Sequence, residues 1–203
     1  MPRTADHTIR REQIADAAVR VAGRAGLQAV TMRAVAAEAD VSLRLVQYYF
    51  HSKAGLLAGT LTHLTELSNQ RWTQRLAVLS DPPPPRAVLE AFFAEALPTD
   101  EPSRAFHLVG TSYAVLALTD PEVAQHPFIT GIDRLEAVLA EALSRARAAG
   151  ELSIDIDIPT EATHLVMLSH GLGTSVLIGQ HTVDTARSVF RRYLDRLFLP
   201  CGE

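Results

Sequence analysis

The nine residues Ser42-Leu43-Arg44-Leu45-Val46-Gln47-Tyr48-Tyr49-Phe50 concentrate side chains that can address nucleic acid. At helical spacing Val46 and Phe50 turn to one face, which leaves Leu43, Arg44, Gln47 and Tyr48 pointing the other way. An arginine presents paired donors to the acceptors of guanine, a glutamine amide addresses adenine, and tyrosine hydroxyls and ammonium groups reach phosphates. Base readers and backbone clamps on one short helix suit a major groove. An amphipathic helix with an ordinary polar surface would carry the same residue types, and the side chains alone do not separate the two.

The elements that must position this helix are legible from periodicity. Ile14, Ala17, Ala18, Val21 and Ala25 recur on one face of a first helix that Gly26 stops. Thr31 caps a short second helix in which Met32, Val35, Ala36 and Ala39 share a face. It meets the third across Asp40-Val41-Ser42, a turn that calls for a left-handed backbone, which aspartate tolerates. Ser52 reads as the cap of a long fourth helix running to about Leu79, ended by the extended connector Asp81-Pro82-Pro83-Pro84-Pro85. Helices follow at about 86–97, 103–118, 121–149, 160–180 and 183–198, with Pro127 breaking or kinking the third of these. Ile154, Ile156 and Ile158 alternate with acids, but so short a run before Pro159 reads as an extended linker. The expectation is an all-α protein of about nine helices: a helix-turn-helix unit over 1–53 and a larger helical domain over 54–203.

Composition narrows the class. With 203 residues, 47% of them hydrophobic, the chain can bury a substantial core. It has no apolar run of membrane-spanning length and no apolar leader, so a cytoplasmic protein without a membrane partner is expected. The single cysteine, Cys201, excludes an intrachain disulfide and a thiol-rich metal site. The net charge of −4 is uneven: residues 1–57 carry eight Arg and Lys against five acids, so one end is basic and the body acidic. That distribution disfavours non-specific DNA packaging. A small helical hydrolase remains a rival, although no Gly-x-Ser-x-Gly elbow, phosphate-cradling glycine loop or His-Glu-x-x-His motif is present.

The run Thr31-Met32-Arg33-Ala34-Val35-Ala36-Ala37-Glu38-Ala39-Asp40-Val41-Ser42, followed by Tyr48-Tyr49-Phe50-His51-Ser52-Lys53-Ala54-Gly55-Leu56-Leu57, resembles the N-terminal signature of TetR-family regulators. Gly171-Leu172-Gly173 and Tyr193-Leu194-Asp195-Arg196-Leu197 are similar to that family's C-terminal helices. The resemblance implies a DNA-binding homodimer in which Arg33, Leu43, Arg44, Gln47 and Tyr48 approach bases while Thr31, Tyr49 and Lys53 anchor phosphates. The sequence departs from the family pattern at Asp40, where glycine is usual, at Arg44 and Leu45, where small residues are usual, and at Gly55, which replaces an acid able to complete a capping box with Ser52.

The same resemblance implies a ligand-responsive regulator, most often a repressor, released from a pseudo-palindromic operator by a small hydrophobic or amphipathic effector. Helix 4 would link ligand to DNA, since a change in the separation of two recognition helices unseats one from half-sites about 34 to 36 Å apart. The effector pocket is expected from Trp72, Phe92, Phe93, His107, Thr111, Tyr113, His164 and Met167, although Trp72 reads more readily as plain core packing. The last two helices, apolar and dotted with Gly171, Gly173 and Ser175, suit a two-fold dimer interface. No pair among the eight histidines has a familiar metal-site spacing, so neither metal nor cofactor is expected.

Overall fold

A computed structural model describes residues 2–152 and 155–199, with side chains other than those of residues 2–6 and Thr130. Cys201 and Ile154 lie outside the described residues. Among the described residues there are eleven α-helices, one 3-10 turn at Leu27–Ala29, and a single isolated antiparallel bridge between Leu152 and Phe198. None of these helices is long and apolar enough to cross a membrane.

Local chemistry sets the boundaries. Helix α1 (Pro2–Ala25) stops where Gly26 adopts φ 79°. Thr31 Oγ1 accepts from the Ala34 N–H at 3.1 Å to open α2 (Met32–Glu38), and Ser42 Oγ accepts from the Leu45 N–H at 3.2 Å to open α3 (Leu43–Phe50). Between them Asp40 takes the left-handed conformation expected of the turn, with φ 51°. Ser52 caps α4 (Lys53–Ala77) through the Gly55 N–H at 3.0 Å. The proline connector is one residue shorter than expected, because Pro85 opens α5 (Pro85–Ala96), where a proline's missing N–H costs nothing.

Helix α6 (Glu101–Ala117) precedes the main correction to the expected count of nine. The single helix expected over 121–149 is three: α7 (Pro121–Ala124), capped by Asp120, then α8 (Pro127–Thr130) and α9 (Ile132–Ala148). Helix α7 ends at Ala124, Pro127 opens α8, and Gly131, at the N-cap of α9, separates α8 from α9. Helix α10 (Ile158–Leu177) starts on the Asp157 carboxylate, which accepts from the Thr160 N–H, so Ile158 belongs to a helix rather than to the linker. After Gly179 at φ 77°, α11 (Val183–Leu197) completes the described chain.

Packing divides the chain into two compact units. One comprises residues 1–68 and 104–129, the other residues 69–103 and 130–203. This is a packing division, drawn differently from the functional one expected at residue 53. In the first, Ile14, Ala18 and Val21 of α1, Val35 of α2, Val46 and Phe50 of α3, and Leu56, Leu61 and Leu64 of α4 close one core with Val109 and Tyr113. Gly59 lies so close to Phe50 that an added Cβ would sit 2.6 Å from its ring, and Arg11 covers the ring 5.4 Å from its centroid. In the second unit Leu89, Phe93, Leu139, Leu143, Leu165, Phe190 and Leu194 are buried together. There the rings of Phe93 and Phe190 stack 3.7 Å apart and nearly parallel.

Candidate nucleic-acid interface and effector site

Burial of Val46 and Phe50 fixes the roll of α3 and therefore what it offers to solvent. Arg44, Gln47 and Tyr48 are exposed, Tyr48 at 61%, while Leu43 and Tyr49 are half-buried against the core. Arg33, on α2, and Lys53, the first residue of α4, are also exposed. Among the described residues no carboxylate pairs with Arg33, Arg44 or Lys53, so their donors face solvent unneutralised. Thr31 spends its oxygen on the Ala34 N–H and keeps its hydroxyl proton for another acceptor.

Two features of this surface escaped the sequence. His7 of α1 places its ring 4.6 Å from that of Tyr49 and 6.0 Å from that of Tyr48, and the tyrosine rings meet edge to face at 5.2 Å. Glu38 of α2 takes Arg20 Nε at 2.8 Å and also binds Arg24, tying α2 to α1. The two guanidiniums hold its carboxyl at about 2, with the Arg24 hydrogen bond the larger cause. Two of the N-terminal arginines are therefore structural partners of one acid, and the local positive charge free for phosphates is smaller than the count of basic residues suggests. Below this surface, His63 Nε2 of α4 meets Asp16 Oδ1 of α1 at 2.6 Å.

The joint between α3 and α4 is tight. His51 adopts φ 58°, and the Ser52 N–H donates to the Phe50 carbonyl at 2.6 Å, a three-residue turn. A Cβ on Gly55 would stand 2.3 Å from that same carbonyl oxygen. The glycine that departs from the capping-box pattern is the residue this joint requires.

The residues expected around an effector fall in both packing units. In the first, His107 and Tyr113 are buried and Thr111 is exposed. Tyr113 meets the edge of His126 at 5.2 Å, and burial pushes its hydroxyl above the ordinary tyrosine value. His126 itself accepts from the Phe128 N–H at 3.1 Å and bonds the backbone of Ala58 in α4, while burial lowers its pKa.

In the second unit Trp72 is half-buried with its ring T-shaped against Phe92, 6.2 Å between centroids. Phe93 belongs to the core stack with Phe190. His164 and Met167 line an open groove of about 540 Å³ between α9 and α10, together with Asp133, Glu136 and Thr160. At its side Tyr193 of α11 donates to Glu161, and burial, followed by that hydrogen bond, raises the tyrosine pKa well above its ordinary value. The sequence reading also passed over Glu95, 7% exposed on α5, which pairs with Arg71 at 2.6 Å and Arg75 at 3.6 Å. An acid inside the apolar run Val88 to Leu97 was its available signal. Among the described residues no group of three or more His, Cys, Asp or Glu could hold a metal ion.

Residues 14–60 match the family model for bacterial regulatory proteins of the tetR family, and residues 85–199 match that for the C-terminal region of BetI-type transcriptional repressors. The HTH-type transcriptional regulator BetI of Burkholderia mallei is 29% identical over 205 residues, covering 98% of this chain and 99% of that protein. That of Burkholderia cenocepacia is 39% identical over 83 residues, 40% of this chain and 43% of its own length. Among solved structures, a transcriptional regulator from Saccharomonospora viridis in complex with choline superposes with a TM-score of 0.84 at 24% identity, covering 94% of this chain and 98% of that one. A TetR-family regulator from Rhodococcus sp. superposes with a TM-score of 0.78 at 22% identity, again covering 94% and 98%.

Proposed function

Since this chain belongs to the TetR family of bacterial transcriptional regulators, with a C-terminal region of the BetI-type repressor class, we propose that it represses by holding α3 in the major groove of a pseudo-palindromic operator. Family membership makes the protein a regulator and removes the small hydrolase left open by its sequence. In the proposed division, residues 1–53 bind DNA and residues 54–203 bind effector and partner. Arg33, Leu43, Arg44, Gln47 and Tyr48 approach bases, and Thr31, Tyr49 and Lys53 hold phosphates. The observation that carries this reading is the roll of α3: Val46 and Phe50 are buried while Arg44, Gln47 and Tyr48 are turned out.

The effector is a small hydrophobic or amphipathic molecule; that a structural neighbour from Saccharomonospora viridis holds choline supports a small-molecule site in this fold. The operator is bound by a homodimer joined through α10 and α11. Met167 of α10 is 65% exposed and Val189 of α11 is 41% exposed, apolar side chains that a second copy would cover. Charge supports the same pairing, because Asp133 and Glu136 border the groove beside α10 while Arg187, Arg191 and Arg192 stand exposed on α11.

Gel retardation and footprinting on the DNA upstream of the protein's own gene test the proposal. We expect protection of a pseudo-palindrome whose half-sites are one duplex turn apart or multiples of it, with affinity falling steeply as salt rises. Binding without sequence preference on every promoter tried would overturn it.

A further inference from the structure

We infer that the effector engages the α4–α5 corner around Trp72 through a hydrogen-bond acceptor, a carboxylate, rather than through a cationic head. The inference rests on the reading of the chain as an effector-responsive regulator and names the chemistry of the molecule it answers to.

Two neighbouring donors in this corner, Trp72 Nε1 and Arg71 Nη2, make no well-directed hydrogen bond. Trp72 Nε1 is buried and without a hydrogen-bond partner among the described residues, although the indole as a whole is only half-buried. Arg71 Nε donates to Glu95 Oε1 at 2.8 Å, and Nη2 stands 2.6 Å from the same oxygen. That oxygen lies off the donor direction of Nη2, which is buried with no hydrogen-bond acceptor of its own. Both side chains close on one stretch of α5: Trp72 on Phe92, Arg71 on Glu95, three residues apart and so on one face.

A buried donor without a partner forfeits its hydration and gains nothing in return. A ligand oxygen placed over the Phe92–Glu95 turn meets that need. A carboxylate supplies two such oxygens, while the half-buried indole of Trp72 offers contact to an apolar tail.

Charge points the same way. Arg71 and Arg75 face one buried carboxylate, that of Glu95. The nearby Asp100 is occupied by Ser103, whose hydroxyl stands at 2.7 Å and whose N–H stands at 2.8 Å. A quaternary ammonium would bring a positive charge against the two guanidiniums and leave the indole N–H without a charged acceptor.

The test uses the full chain bound to its operator fragment, with octanoate, 1-octanol and choline as probes in calorimetric titration and in operator release. Octanoate is expected to bind about tenfold or more tighter than 1-octanol, since a site built around unmet donors rejects the analogue that cannot fill them. Octanoate is expected to release the operator, and choline to bind weakest. Trp72→Phe keeps the ring and removes the N–H, and Arg71→Lys keeps the charge and removes the second donor. Each should shrink the preference for octanoate over octanol to about threefold or less.

Equal binding of octanoate and octanol, binding of none of the probes, or a preference that survives both substitutions would overturn the inference. Release by choline alone would overturn the carboxylate and leave the regulator reading standing. If the native chain holds no operator, that reading fails first and takes the inference with it.

Discussion

Arg44 and Gln47 stand one helical turn apart on α3, both exposed, with no carboxylate paired to Arg44 among the described residues. Their proposed role differs from that of Lys53, and the difference is measurable. Arg44→Ala or Gln47→Ala should cost about 1 to 3 kcal/mol at the cognate base pair and relax preference there, read by binding to a library of single-base operator variants. Lys53→Ala should weaken all sequences alike and lower the slope of log affinity against log salt by about one. Unchanged base preference in both α3 variants would mean that a different face reads the DNA.

At the same scale, Glu38 makes the DNA-binding unit acid-sensitive. Its carboxyl, at 4.5 when free and held at about 2 by Arg24 and Arg20, binds fewer protons folded than unfolded between those values. Its stabilisation is complete above pH 4.5 and is lost as pH falls toward 2. Glu38→Gln should therefore lower Tm at pH 7, with the gap to the native chain narrowing steadily from pH 4.5 to pH 3; a gap independent of pH would exclude the ion pair as its source.

The elements were legible to the extent that their causes are local. Thr31 and Ser52 read as caps from the sequence, and each accepts the N–H three residues on; Ser42, which the sequence places only in the turn, does the same for α3. Pro127 was read as a break, but Gly131 as the start of a separate helix was not, because a glycine inside an apolar pattern is as easily carried by a helix. Gly55 looked like a lost capping partner. Its reason lies in the turn at His51, which brings the Phe50 carbonyl where a side chain would be. Gly55→Ala should force that joint apart, lowering stability by about 1 to 3 kcal/mol in urea unfolding and weakening operator binding, since α3 and α4 meet there. An alanine variant of native stability and affinity would show the joint to be compliant.

At the scale of the whole molecule, the proposed function requires two copies of α3 held at a fixed separation. The exposed Met167 and Val189 are the apolar anchors proposed for that assembly. Replacing both with glutamate should cost about 2 kcal/mol or more per lost anchor, enough to turn the dimer into a monomer at micromolar concentration in sedimentation analysis. Operator binding should fall with it, because a single recognition helix reads only half a site. A double variant that stays dimeric would place the interface elsewhere.

The sequence by itself determined the helical class, the caps Thr31 and Ser52, the break at Pro127, and the helix-turn-helix unit near the N-terminus. All of that unit's defining residues fall within a contiguous match over 14–60, so periodicity and local hydrogen bonding sufficed. Only the tertiary structure decided which side chains meet across distance in the chain: Glu38 with Arg20 and Arg24, Arg71 with Glu95, Tyr193 with Glu161. It also separated Phe93, locked in a core stack, from Phe92, which lies against Trp72. The physical reason is that helical period fixes which residues share a face, but not which other helix that face meets. The partner of a buried acid, and the donor left without one, are consequences of that packing.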